Sequence, residues 1–157
     1  MRADMLPYFA YGASMDERHM HGRVPNARSL GPARVDGYRL AFDVYSTEWQ
    51  GGAANLAPDR SAHVWGVVWH VPDEELGGLD AFQGHPTFFR REELVAELGG
   101  EAVTAWTYRV AHQEGYVRPT DAYLAHLYSA IRVQGLPPEA FDIVERAARP
   151  PKPRIST

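Results

Sequence analysis

The chain has 157 residues, 45% of them hydrophobic, and a formal charge of -4 at pH 7. That length suits one compact domain with a substantial core, and the complete lack of cysteine excludes disulfides, thiol nucleophiles and cysteine-type zinc sites. The mild acidity argues against nucleic acid, which calls for a concentrated basic face. No apolar run approaches the roughly 20 residues of a membrane span. The opening Met1-Arg2-Ala3-Asp4-Met5 has no apolar segment resembling a secretory signal, so a cytoplasmic protein with no membrane partner is expected.

Taken in order, the first element is a strand from Leu6 to Tyr11, broken at Gly12. Ser14-Met15-Asp16-Glu17 follows, and a serine with a glutamate three residues later reads as a capping box, with a short helix starting at Met15. Gly22 and Pro25 are placed to end it. Tyr38 to Tyr45 alternates apolar and polar residues as a strand does. Gly51-Gly52 opens a short strand over Ala53 to Leu56, and Val64 to Val71 is the β-branched, aromatic run of a strand buried on both faces.

From Pro72 the pattern turns helical and carries on to Phe82, where Gly84 and Pro86 stop it. Phe88 to Leu98 and Ala102 to Val110, joined by Gly99-Gly100, form a hairpin. Leu124, Leu127, Tyr128 and Ile131 recur at helical spacing with Gly135 as terminator, and Pro137-Pro138-Glu139 begins a last helix to about Ala148. Strands dominate the first two-thirds and helices the last, which gives a mixed α/β (α+β) domain: a small, mostly antiparallel sheet or barrel flanked by helices. One domain over residues 1–148 and a Pro-rich, loose tail over 149–157 are expected, and no leftover apolar helix face specifies an oligomer.

The stretch Tyr8-Phe9-Ala10-Tyr11-Gly12-Ala13-Ser14-Met15 is the strongest local feature. A strand that turns at glycine into a helix frees backbone N–H groups, and such a place either cradles an anion or is a plain tight turn. With no G-x-x-x-x-G-K and no G-x-G-x-x-G, nucleotide phosphates are disfavoured. The seven histidines are scattered and fall in no H-E-x-x-H or H-x-E pattern, so no metal site is expected. No serine has a G-x-S-x-G setting. Tyr123, near the start of the long helix, is either a core residue or a hydroxyl facing a pocket. The tryptophans at 65, 69 and 106 and Tyr108 are expected in the core.

Five segments in one order resemble the γ-glutamylcyclotransferase-like proteins, a family that includes AIG2-like proteins and antibiotic-pathway deprotecting enzymes. Phe9-Ala10-Tyr11-Gly12-Ala13-Ser14-Met15 is similar to the family's F-A-Y-G-S-N-L/M. Gly51-Gly52-Ala53-Ala54-Asn55-Leu56 and Val64-Trp65-Gly66-Val67-Val68-Trp69 follow. Then Leu79-Asp80-Ala81-Phe82-Gln83-Gly84 stands against L-D-x-x-E-G, and Gly135-Leu136-Pro137 comes after the long helix. The resemblance implies a small β-barrel with a cavity at one end, and a reaction that needs no cofactor. In it the α-amine of a γ-glutamyl group attacks its own γ-carbonyl, closing 5-oxoproline and releasing the attached amine.

By the same resemblance, Tyr11, Gly12, Ala13, Ser14, Phe89 and Tyr123 bind the γ-glutamyl substrate, and the acid/base position is Gln83. Glutamine keeps the shape of glutamate and loses its proton chemistry, so the chain is expected to bind γ-glutamyl ligands and turn them over poorly. Either a deliberate Glu→Gln exchange or a natural loss accounts for it, and the otherwise intact signature favours exchange. Asp80, three residues from Gln83, is expected to point elsewhere. Phe89 stands where the family has tyrosine. The loop Ser46-Thr47-Glu48-Trp49-Gln50 is expected to choose the leaving amine, with Glu48 meeting a cation or simply facing solvent. A natural ligand-binding pseudoenzyme and a scaffold acting through the C-terminal helices are the competing functional classes.

Overall fold

A computed structural model describes residues 4–84, 89–110 and 115–151. Five strands close into a barrel in the order β1-β3-β2-β4-β5: β1 (Met5–Ala10), β2 (Arg28–Ser46), β3 (Gly51–Pro72), β4 (Phe89–Leu98) and β5 (Glu101–Val110). Every neighbouring pair is antiparallel except the closing one, where β1 runs parallel to β5 with Tyr8 opposite Trp106. Four helices surround it: α1 (Glu17–Arg23), α2 (Leu76–Gln83), α3 (Asp121–Gln134) and α4 (Glu139–Ala148).

The barrel is built on one very long hairpin. The two strands expected at Ala53–Leu56 and Val64–Val71 are one continuous β3, and β2 begins ten residues before Tyr38. Gly31-Pro32 and Gly37 interrupt the alternation and read as turns, yet they sit at register shifts where the strand bulges. Gly31 and Gly37 have φ of +107° and +88°, a backbone that glycine adopts without steric cost. The bulges bend β2 so that it turns a barrel corner instead of ending.

A second correction concerns the first helix. Ser14 does not cap it. Residues Ala13–Met15 form a separate 3-10 turn, and Asp16 is the N-cap of α1, its carboxylate accepting from His19 N at 3.0 Å. Ser14 is buried instead, hydrogen-bonded to Tyr8. Asp16 wins because it lies outside the barrel mouth, where a carboxylate stays hydrated while it caps. Pro86 and Phe88, expected to flank the α2 terminus and the hairpin start, lie outside the described residues, as does the tail beyond Pro151.

The helix after the barrel is turned slightly from the expected stripe. Tyr123, Leu127, Ala130 and Ile131 are its buried residues, whereas Leu124 and Tyr128 flank the core. Thr120 caps it by accepting from Tyr123 N at 3.2 Å, and Gly135 ends it in the left-handed region, φ +73°. Trp69 and Tyr108 are fully enclosed with Phe9, Phe42, Met20, Leu56 and Leu127, and Trp65 and Trp106 pack partly buried against them. No helix among the described residues is long and apolar enough to cross a membrane.

Candidate functional site

A cavity of about 480 Å³ opens at one end of the barrel, and every candidate from the sequence lines it: Tyr11, Gly12, Ala13, Ser14, Gln83, Phe89 and Tyr123. They come from four separate places, the β1 exit, the α2 end, the β4 start and the first turn of α3. The size falls within the roughly 300–1,000 Å³ of ordinary small-molecule sites.

The floor is the turn after β1. Its first backbone bond runs from Met15 N to Gly12 O at 3.0 Å, so the N–H groups of Ala13 and Ser14 precede the turn's own ladder and find no acceptor in it. Three residues carry little macrodipole, so any anion held here is held by those N–H groups rather than by a helix end. Helix α3 fixes the turn from behind. His126 Nε2 donates to Ala13 O at 3.2 Å and Gln134 Nε2 donates to Met15 O at 3.0 Å.

Tyr123 resolves to both of its sequence alternatives. It is buried in the core and also lines the cavity, where its hydroxyl accepts from Ala54 N at 3.0 Å. A Cβ added at Gly12 would sit 3.2 Å from that hydroxyl, close enough that the hydroxyl would have to shift by a few tenths of an ångström. Burial pushes the Tyr123 phenol up to about 12, partly offset by the Ala54 N–H. Tyr8, Tyr11 and Tyr108 are also shifted up, chiefly by burial. All four phenols therefore stay protonated near neutrality and serve as hydrogen-bonding groups, not bases.

The opposite wall ends in Gln83, half-buried in the last turn of α2. Gly84 stops that helix with φ +69°, its N–H returning to Asp80 and Ala81 carbonyls, and this places the residue-83 side chain on the cavity. Asp80 points away, as expected. One oxygen takes the Tyr108 hydroxyl and the other pairs with Arg91 Nη1 at 2.9 Å. That tie braces α2 against β4 and β5, and so positions Gln83 without entering the cavity.

Two glycines explain how α3 reaches the site. A Cβ on Gly52 would lie 1.9 Å from Val117 O, and one on Gly51 would lie 2.9 Å from Thr120 Cγ2. Their absence of side chains lets the segment before α3 cross the hairpin end, held by Gly52 N to Arg118 O and Val117 N to Phe42 O, both 2.8 Å. Segment 116–120 delivers the Thr120 cap and hence Tyr123.

The loop expected to choose the leaving amine lines the cavity through Ser46, Thr47, Glu48 and Trp49. Tyr8, His19, Tyr45, Phe82 and Tyr108 line it too, and the sequence reading gave none of these five a place there. Glu48, expected to meet a cation or face solvent, is exposed and also pairs with His19 Nε2 and Arg23 Nη2, each at 3.1 Å. Among the described residues no group of three or more His, Asp or Glu is placed to hold a metal.

A closed barrel with such a cavity at a strand-to-helix turn defines a small-molecule site. The chain matches the family described as Gamma-glutamyl cyclotransferase, AIG2-like, over residues 8–126. It is 30% identical over 138 residues to the Gamma-glutamylcyclotransferase of Bos taurus, covering 84% of this chain and 73% of the relative, and the Homo sapiens protein of that name matches to the same extent. A solved Gamma-glutamyl cyclotransferase structure superposes with a TM-score of 0.86 at 26% identity, covering 98% of this chain and 93% of that one. The chain belongs to the γ-glutamyl cyclotransferase, AIG2-like family.

Proposed function

We propose that the cavity binds the γ-glutamyl group of a γ-glutamyl amine in the geometry of cyclisation to 5-oxoproline, and that Gln83 leaves the chain a strong binder with weak turnover. The observation that carries this is the placement of residue 83, on the wall of the same cavity as the Ala13–Ser14 turn and Tyr123. The glutamyl α-carboxylate suits the free N–H groups of Ala13 and Ser14. Holding that end folded back brings the α-amine against the γ-carbonyl, and such intramolecular positioning supplies a large effective molarity.

The reaction then balances within the substrate. The α-nitrogen forms the ring C–N bond, the bond to the outgoing nitrogen breaks, and one proton passes from the first nitrogen to the second. A carboxylate at position 83 accepts that proton and returns it. The Gln83 amide can orient the amine by hydrogen bonding but takes no proton. No organic cofactor or metal takes part in this scheme, and we place the protein in the cytoplasm.

The test is Gln83→Glu with 5-oxoproline release measured over a panel of γ-glutamyl amides. A gain of about 10²–10⁴-fold over the unaltered chain is expected. Binding without any gain removes position 83 from the proton transfer. No binding of any γ-glutamyl amide overturns the substrate reading. The codon at position 83 in the native gene separates a substrate-trapping exchange from a natural γ-glutamyl-binding protein.

A further inference from the structure

We infer that the outer half of the cavity is a leaving-group subsite for an uncharged apolar or aromatic amine, so that γ-glutamyl conjugates of such monoamines bind in preference to γ-glutamyl amino acids or γ-glutamyl diamines. This rests on the γ-glutamyl reading above and specifies what hangs from the glutamyl head.

Three observations lead there. The first is room. The turn at Gly12–Ser14, Gln83 and Tyr123 are buried or half-buried lining residues, and a cavity of about 480 Å³ exceeds what a bare glutamyl head fills.

The second is the character of the mouth. Five large hydrophobic residues are exposed among the described residues, and the two aromatic ones, Tyr45 at 48% and Phe82 at 37%, both stand on this rim. Trp49 completes it. Its ring lies 5.1 Å from Tyr123 and 5.0 Å from His126, which holds it as a fixed surface, and its backbone N–H donates to Ser46 Oγ at 3.2 Å, which holds the loop. Phe82 is held too, with the Arg23 guanidinium 4.0 Å over one face and His19 edge-on at 5.4 Å. Exposed aromatic surface gathered at a cavity mouth marks a place that apolar groups cover.

The third is charge. Among the described lining residues there is no lysine or arginine, and Glu48 is the one carboxylate. Arg23 and His19 already engage it, so its charge makes no demand for a cation from the ligand. Burial holds the His19 pKa below the usual histidine value, and its Nδ1 is buried with no partner, so a second ring proton would be orphaned there. A leaving group bearing a carboxylate would meet Glu48, and the nearby Arg23 is already held by Glu48 and the Phe82 ring. One bearing an ammonium would lose hydration against aromatic walls beside a carboxylate that is already paired. An uncharged chain or ring loses nothing and gains contact with Trp49, Tyr45 and Phe82.

The test is calorimetric titration of the unaltered chain with five γ-glutamyl ligands: the methylamide, butylamide and benzylamide, γ-glutamyl-phenylalanine, and the 4-aminobutylamide. Binding of the benzylamide and butylamide at least about tenfold tighter than the methylamide, γ-glutamyl-phenylalanine and the 4-aminobutylamide is expected. Tyr45→Ala and Phe82→Ala, both at exposed positions, should each lower the benzylamide-to-methylamide affinity ratio several-fold. Equal affinity for the benzylamide and methylamide overturns the subsite, and so does tighter binding of either charged ligand. If every ligand fails to bind, the methylamide included, the γ-glutamyl reading falls and this inference with it.

Discussion

Removing one oxygen from Tyr123 is the sharpest probe of how the site is held. Tyr123→Phe keeps the ring, which is 2% exposed and packed on Phe42 and Trp49, so no cavity opens beneath it. The change deletes the acceptor of the Ala54 N–H at 3.0 Å, on a strand where that N–H is buried. A net hydrogen bond is worth about 1 kcal/mol, and an orphaned buried donor costs about 1–3 kcal/mol. We therefore expect a loss of about 2 kcal/mol, a fall in Tm of roughly 4–8 °C for a chain of this size. Urea unfolding at pH 7.5 checks the first figure and scanning calorimetry the second. A Tm within about 1 °C of the unaltered chain would refute the reasoning, because the Ala54 N–H would then have found a water in the cavity.

Gly52→Ala forces a methyl to 1.9 Å from Val117 O, so it should cost at least about 3 kcal/mol and loosen the start of α3, read by urea unfolding and by amide exchange over residues 121–127. Asp80→Asn breaks the Arg91 pair and weakens the Tyr108 bond, which should cost about 1 kcal/mol by urea unfolding and, because that tie positions Gln83, should also weaken γ-glutamyl amide binding in a calorimetric titration. His19 has a lowered pKa in the folded chain, mainly from burial, so the unfolded chain takes up the proton first. Stability linked to His19 is thus present above about pH 6.5 and is lost as pH falls through the folded value. Urea midpoints at pH 7.5 and 5.5 should differ more for the unaltered chain than for His19→Gln.

How far the sequence foretold this depends on how local each cause is. Helix α2 was legible to within a residue of its end because its stop, Gly84 in the left-handed region, is a local backbone requirement. The β4–β5 hairpin was legible because Gly99 and Gly100 both adopt positive φ at the turn. The first half of β2 was not. Gly31-Pro32 and Gly37 are turn chemistry by composition, and only pairing with β3 along the whole length turns them into bulges. Ser14 and Asp16 are both good caps, and the choice between them was made by the barrel, which buries Ser14 against Tyr8. The cavity floor could be named from two segments that resemble a family. Its aromatic rim was legible only in part: Trp49 lay in the loop expected to choose the leaving amine, but Phe82 fills an unspecified place in L-D-x-x-E-G, Tyr45 carries no motif, and the three meet only when the barrel closes.

The closing seam has a consequence for how the protein is assembled. Strand β1 meets β5 across about a hundred residues of chain, tied by Thr107 Oγ1 to Phe9 O at 2.9 Å and by the Tyr11 hydroxyl to Tyr108 O. The long β2–β3 hairpin needs only its own four-residue turn and can form early, whereas this seam is non-local and must come late. The candidate site straddles the seam, with Tyr11 on one side and Tyr108 on the other. A ligand that fits it therefore bonds the two ends of the sheet together, and mass action makes it a staple for the last event in folding. Saturating ligand should slow exchange of the β1 and β5 amides far more than those of the hairpin.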